Sequence, residues 1–331
     1  MSTGQKKALI FGISGQDGAW LAKLLIDKGY HVFGTARDAQ VNNFNNLSRL
    51  GVKGSVEKIS MSLVDPGSVV RVISKIKPDE IYNLAGQSSV GLSFEQPFET
   101  MESNAIGVLN ILESIRFTDW PVRFYNACSG ECFGDTGENS ANENTAFRPR
   151  SPYAIAKAAA FWEVENYRDS YGLYACSGIL FNHESELRPD RFVTQKIITT
   201  ACRISNGSKE VLNLGNINIK RDWGWAPEYV DAMWRMLQQP KAEDFVIATG
   251  ESNTLELFVK EAFSCMNLDW HNHVTVDKSL LRPSEIMSSC GSPLKAKKIL
   301  GWSPVYKMKD VITMMIKANQ EDFVKDFKVK L

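Results

Sequence analysis

No stretch of this 331-residue chain approaches 18 uninterrupted apolar residues, and its opening, Met1-Ser2-Thr3-Gly4-Gln5-Lys6-Lys7, lacks the apolar run of a secretion signal. The expectation is a cytoplasmic protein with no membrane partner. Net charge is missing too. Lys plus Arg and Asp plus Glu each number 38, so no overall field draws nucleic acid or an anionic surface, and an anionic ligand must be gripped locally. Histidine is scarce, and His183, His271 and His273 offer no second ligand pair at zinc spacing, so no metal is expected. The six cysteines (Cys128, Cys132, Cys176, Cys202, Cys265 and Cys290) are scattered through a long chain, which favours free thiols over a disulfide framework. Internal repeats and low-complexity tracts are also absent. What remains is ordinary globular composition, 44% hydrophobic and 23% charged, with enough material for one large domain or two intimate ones.

The first half alternates strand and helix. Lys7 to Phe11 is a short apolar run, followed by glycines and then by Ala19, Leu21, Leu24, Leu25 and Ile26 at helical spacing. His31 to Thr35 reads as a strand, Val69 to Ile76 as a helix, Glu80 to Ala85 as a strand, Ala105 to Ile115 as a helix and Arg123 to Ala127 as a strand. This pattern predicts an α/β fold with a doubly wound parallel sheet of Rossmann type, its ligand edge at the C-terminal strand ends. Ser151-Pro152 supplies an N-cap and a first-turn proline for a long helix through about Tyr171. Beyond Phe181 the periodicity weakens, with loop-rich stretches at Asn182 to Arg191, Gly215 to Trp225 and Ser279 to Pro293. Phe245 to Thr249 reads as a strand returning to the sheet. The expected division is a dinucleotide domain over 1–180, joined by 226–250, and a smaller α/β substrate part over 181–225 and 251–331. Trp20, Trp162 and Trp234 lie in helical patterns and read as packing residues.

Gly12-Ile13-Ser14-Gly15-Gln16-Asp17-Gly18 sits between the first strand and the first helix. Its glycines permit positive dihedral angles and close backbone approach, so that amides at the helix N-terminus can hold a pyrophosphate. A 2′-phosphate is discriminated near the end of the second strand, where Arg37 precedes Asp38. The guanidinium fork suits a phosphate, whereas Asp38 could serve a free ribose hydroxyl or be a loop charge; the pair favours NADP over NAD.

Tyr153 and Lys157 are four apart on the predicted helix and leave the same face. A neighbouring ammonium favours the phenolate and is expected to lower the tyrosine's pKa toward a useful value. Ser129 and Glu131 follow the strand Arg123 to Ala127 at the ligand edge. Ser129 can hydrogen-bond a reacting oxygen beside Tyr153. Glu131, two residues on, would point to the same side if the segment is extended. Simple alcohol oxidation does not require that extra carboxylate.

Ser129, Tyr153 and Lys157 downstream of a glycine loop form the constellation of short-chain dehydrogenases, which the sequence resembles over most of its length. The resemblance sharpens in Arg148-Pro149-Arg150-Ser151-Pro152-Tyr153-Ala154-Ile155-Ala156-Lys157, Gly178-Ile179-Leu180-Phe181-Asn182-His183-Glu184-Ser185, Phe192-Val193-Thr194-Gln195-Lys196-Ile197 and Arg221-Asp222-Trp223-Gly224. These segments, with Leu214-Gly215-Asn216, Phe245 to Gly250, Arg282-Pro283-Ser284-Glu285 and the Gln16-Asp17 pair, are similar to those of GDP-mannose 4,6-dehydratases. That resemblance, running from about residue 8 to 305, implies that Ser129, Glu131, Tyr153 and Lys157 are catalytic. It implies oxidation at sugar carbon 4 with hydride leaving for NADP, loss of water across carbons 5 and 6 through Glu131, and hydride return to carbon 6. It further implies cofactor contacts from Gly12, Ser14, Gly15, Gln16, Asp17, Gly18, Arg37, Leu63, Leu84, Ala85, Gln87, Tyr153 and Lys157. The GDP-sugar would be lined by Ser88, Glu95, Asn182, Val193, Lys196, Arg221, Arg282 and Glu285, the three cations suiting a pyrophosphate. A homodimer or homotetramer is the implied assembly.

Several positions depart from the pattern. Ser129 stands where relatives often carry threonine, Gly130 where they carry serine, Asp38 where they carry a second arginine, and Trp225 where they carry histidine. Ser62-Leu63 replaces an Asp-Leu pair that usually faces adenine, and Gln40 to Leu50 corresponds to a loop that pairs dimers into tetramers. A GDP-manno-heptose 4,6-dehydratase is therefore a second reading. A nucleotide-sugar 4-epimerase would use Tyr153 and Lys157 without needing Glu131, and a non-catalytic nucleotide-binding regulator would tolerate loss of residues that are all present here.

Overall fold

The computed structural model describes residues 4–329, with side chains described as far as residue 321. Six parallel strands arise from the first half: β1 Lys7–Phe11, β2 His31–Ala36, β3 Val56–Ser60, β4 Glu80–Asn83, β5 Arg123–Ser129 and β6 Tyr174–Leu180. With the strand Phe245–Ile247 outside β6 they form one sheet, ordered β3, β2, β1, β4, β5, β6 and Phe245–Ile247. The order reverses between β1 and β4, which opens a crevice at their C-terminal ends. Val56–Ser60 was not anticipated from the sequence. Its outward positions are polar, as befits the strand at the sheet edge.

Helices cover both faces because the strands are apolar on both sides. On one face, helix α1 (Gln16–Asp27) packs with the helix Ala226–Leu237 over Ile10, Val32, Tyr125 and Phe245. On the other, the helices Pro66–Ile76, Gly107–Arg116 and Pro152–Tyr171 bury Leu9, Phe11, Ile81 and Phe124. A third apolar cluster joins the helices Val193–Ser205, Leu255–Ser264 and Met308–Val329 around Trp223 and Phe258. Short strands lie where the sequence suggests only loops: Asn182–Glu184 pairs in parallel with Trp223–Trp225, and Lys220–Arg221 pairs with Asn253–Thr254. Segments of two or three residues are too short to show a period.

Long helix Pro152–Tyr171 begins as expected, with Ser151 Oγ accepting from Ala154 N at 3.1 Å, and it ends at Gly172 with φ of 68°. The predicted helix from Ala105 is the tail of a longer helical run: Pro97–Met101, a π turn at Glu102–Ile106, then Gly107–Arg116. Among the tryptophans, Trp20 and Trp234 pack against the core as expected, whereas Trp162 is 54% exposed. The described cysteines are all free thiols. No described helix is long and apolar enough to cross a membrane.

Candidate active site

A cavity of about 430 Å³ lies over the C-terminal ends of β4, β5 and β6 and extends toward the helix Val193–Ser205. The glycine loop lies beside it and reaches its wall through Asp17. Gly12 has φ of 82°, and a Cβ there would stand 2.8 Å from the backbone of Leu84 and Ala85; a Cβ on Gly18 would stand 2.4 Å from Gly12 O. Both glycines are fixed by backbone contact. Gly15, at the N-cap of α1, is different: it is exposed, its added Cβ would meet nothing nearer than Gly12 O at 3.4 Å, and its flank is open. Its amide already donates to Gly12 O at 3.1 Å, so what this glycine offers the pyrophosphate of a dinucleotide is close approach to the N-terminus of α1.

Ser129 is the last residue of β5 rather than a residue beyond it, and Glu131 lies in a 3-10 turn, Gly130–Phe133. The expected extended geometry is therefore wrong. The turn itself brings Glu131 to the cavity wall, with its amide donating to Ser129 Oγ at 3.2 Å. Tyr153 and Lys157 reach the same wall from the first two turns of their helix, and the Ser129 side chain, on that wall too, favours the ionised form of Tyr153. Lys157 Nζ donates to Ala127 O at 3.0 Å and stands 5.9 Å from the Tyr153 ring centre. The expectation of a lowered tyrosine pKa is not met. Burial pushes the Tyr153 hydroxyl upward, against the pull of Ser129, and the Cys132, Cys128 and Glu131 charges add to the upward push. Burial also lowers the Lys157 ammonium. Both groups are thus poised in their neutral direction.

Of the other residues singled out, Asp17, Leu84, Ala85, Ser88, Asn182, Val193, Lys196, Arg221 and Arg282 all line this cavity. Arg221 is buried, with Nη1 donating to Lys220 O at 2.9 Å and Ile286 O at 2.8 Å. Burial lowers its pKa, opposed first by the charge of Glu131. Glu285 stands behind, bridging Arg221 at 3.4 Å and Arg282 at 3.8 Å. Neighbouring Asp222 gathers four donors: Thr249 N and Oγ1 on Oδ1, and Gly250 N and Gly291 N on Oδ2. Burial nonetheless pushes its carboxyl up to about 6.

Others fall off the wall. Gln16 is buried and hydrogen-bonds within the protein, and Ser14 faces a separate recess, where its carbonyl accepts from Asn46 Nδ2 at 3.0 Å. Leu63 is packed under Gly107. Gln87 spends its amide on Ser89 O and Thr100 Oγ1, and Glu95 is exposed at the end of the helix Val90–Glu95. Arg37 lies 89% exposed beyond β2, with Glu99 4.0 Å away.

The sequence reading missed Asn104, which the π turn delivers to the cavity. Its Nδ2 donates to Gln87 O and Thr100 O, each at 3.0 Å, while buried Oδ1 has no partner. Arg188 and Arg191 also line the cavity. A count of cations near Asn182 was the available signal for those two; nothing marked Asn104. Among the described residues no group of three or more His, Cys, Asp or Glu could hold a metal.

A doubly wound parallel sheet carrying a glycine loop, with serine, tyrosine and lysine gathered over it, defines the extended short-chain dehydrogenase/reductase class. Solved structures share the fold: a UDP-glucose 4-epimerase from Thermotoga maritima aligns with TM-score 0.84 at 21% identity, covering 96% of this chain and 99% of that one. A dTDP-glucose 4,6-dehydratase from Bacillus anthracis gives 0.83 at 17%, over 96% and 97%. The family described as GDP-mannose 4,6 dehydratase matches residues 9–315, and the chain belongs to that family. GDP-mannose 4,6 dehydratase 1 of Arabidopsis thaliana is 44% identical over 327 residues, covering 96% of this chain and 90% of that protein. GDP-mannose 4,6-dehydratase of Vibrio cholerae is 40% identical over 346 residues, covering 94% and 93%.

Proposed function

We propose that this protein is a GDP-sugar 4,6-dehydratase, converting GDP-mannose to GDP-4-keto-6-deoxymannose with NADP as its cofactor. The observation that carries the reading is one cavity lined by Ser129, Glu131, Tyr153 and Lys157 beside a glycine loop suited to a dinucleotide. The nicotinamide, when bound, supplies the hydride acceptor and donor. Tyr153, its ionised form favoured by Ser129, takes the proton of the hydroxyl on sugar carbon 4; Lys157 supplies positive charge beside it. Oxidation at carbon 4 acidifies the proton on carbon 5. Glu131 removes that proton and delivers one to the departing hydroxyl of carbon 6. An epimerase has no use for this second step, so Glu131 on the wall favours dehydration.

Residues 1–180 with 226–250 would serve the dinucleotide, and 181–225 with 251–331 the GDP-sugar. Lys196, Arg221 and Arg282 form the cationic side of the cavity, with Glu285 holding the two arginines. NADP is supported by the exposed Arg37 fork and by Asp38, whose Oδ1 accepts from Gln40 N at 2.9 Å and closes its own turn. The hexose is favoured over the heptose because the space a side chain at Gly130 would fill is taken by the Phe181 ring, 3.1 Å away. A homodimer is supported by Ile155 and Trp162, seven residues apart on one helix and 49% and 54% exposed.

Incubation with GDP-mannose, followed by mass spectrometry, tests the activity: loss of one water is expected. Glu131→Gln should retain dinucleotide and lose dehydration. Unchanged turnover in that variant would remove Glu131 from the mechanism, and an epimer formed without water loss would move the protein to the epimerases.

A further inference from the structure

Asp17 stands in the first turn of α1, at the end of the loop that would receive an anionic pyrophosphate, and it lines the cavity. An unpaired carboxylate there would repel that ligand. Facing it is His183, in the strand Asn182–Glu184, whose Nε2 lies 2.8 Å from Asp17 Oδ2. The other ring nitrogen, Nδ1, lies 2.7 Å from Phe181 O. Both partners are acceptors. Only a doubly protonated imidazole can donate to both at once. The Tyr229 ring, from the helix Ala226–Leu237, stacks on the imidazole with centroids 4.5 Å apart. Gln16 closes the arrangement: its Nε2 donates to Asp17 Oδ1 at 3.0 Å and to His183 O at 3.2 Å, and its Oε1 accepts from Ser185 Oγ at 3.0 Å.

We propose that Asp17 and His183 are positioning residues, an imidazolium–carboxylate latch that cancels the charge of the cofactor loop and ties that loop to the sugar-binding segment Asn182–Glu184. The latch rests on the dinucleotide reading of the glycine loop. It gives Gln16 and Asp17 a different task from the cofactor contacts that the sequence implied. The charged and titratable groups facing His183 are Asp17 from α1, which favours the imidazolium, Arg188 from the following loop, which opposes it, and the buried Tyr229. Burial also opposes the imidazolium, but Asp17 and the Phe181 carbonyl outweigh it and the net direction is upward. For Asp17, burial works upward and is outweighed first by His183, so its carboxyl is lowered and stays ionised. A raised pKa carries the protonated imidazole to higher pH than an ordinary histidine would hold it, and the proton is lost as pH rises further. Loss of the proton leaves the Asp17 charge uncompensated and one of the two hydrogen bonds unmade.

Two measurements test the latch. Nitrogen NMR of labelled histidine, with no ligand added and His183→Gln as the assignment control, should find both ring nitrogens of His183 protonated near neutral pH. A singly protonated ring would overturn the proposal, whatever the enzyme turns over. Fluorescence titration with NADPH from about pH 6 to about pH 10 should show binding that weakens about tenfold toward high pH. In Asp17→Asn a neutral His183 can accept from the amide, so affinity should become flat across the range. His183→Gln should also lose the slope, and it serves if Asp17→Asn does not fold. A slope that survives in the folded variants, or no slope in the parent, would sink the latch. Failure to dehydrate GDP-mannose would not, since neither readout contains a sugar.

Discussion

Tyr153 meets two demands that pull against each other. In the proposed reaction it must be ionised to take the proton of a sugar hydroxyl, yet burial holds its own hydroxyl in the protonated direction, and Ser129 is the group that pulls the other way. Ser129→Ala should therefore slow turnover by roughly 10- to 100-fold at neutral pH and move the alkaline part of the rate profile upward, checked by initial rates against pH. Arg37, exposed and only loosely paired, makes a separate prediction: Arg37→Ala should weaken NADPH binding about 10- to 100-fold while leaving NADH nearly unchanged. Equal losses for both dinucleotides would take Arg37 off the 2′-phosphate. At this scale the sequence was informative where chemistry imposes a spacing, as for Tyr153 and Lys157 on successive helical turns. Glu131 was found through an extended-chain argument that the 3-10 turn replaces. Asn104 was invisible because only a π turn, which leaves no mark in residue periodicity, carries it to the cavity.

Elements with strong end signals were legible as elements. The helix from Pro152 to Tyr171 announces itself by Ser151, Pro152 and Gly172, and Gly12 announces the turn after β1. Gly12→Ala should abolish dinucleotide binding and lower the melting temperature, since it meets both an unfavourable φ and a 2.8 Å contact with backbone. Edge strand Val56–Ser60 and the strands of two or three residues were not legible, being set by pairing with distant chain. Within the long helix, Glu163 is partly buried, and its Oε2 is without a hydrogen-bond partner. Burial raises its carboxyl to about 7. The folded protein then holds a proton that the unfolded chain releases between about pH 4.5 and 7, so this residue's contribution to stability falls as pH rises through that window. Glu163→Gln should stabilise the protein at pH 8 by about 1 kcal/mol after discounting for partial exposure, and should be near neutral at pH 5, as read by thermal melts.

For the whole molecule, the doubly wound order of the sheet and its crevice followed from the alternation of strands and helices. Assembly and the exact closure of the sugar side did not, because they depend on contacts between segments far apart in the chain. If Ile155 and Trp162 form part of a two-fold contact, Trp162→Glu should shift the protein toward monomers in sedimentation while the fold persists by circular dichroism. An unchanged species would move the contact elsewhere. Asp222→Asn should cost about 2–4 kcal/mol and loosen Arg221, because an amide nitrogen would then face backbone N–H donors.

The four-donor grip of Asp222 also has a meaning in time. On a growing chain, β1 to β5 and the glycine loop emerge early and can begin to pair while synthesis continues. The carboxylate of Asp222 must wait for residues 249 and 250, and then for residue 291, before its last partner exists. A nascent chain halted before that point would carry most of the parallel sheet beside an unfinished cavity wall, so the setting of Arg221 is settled only after residue 291 has been made.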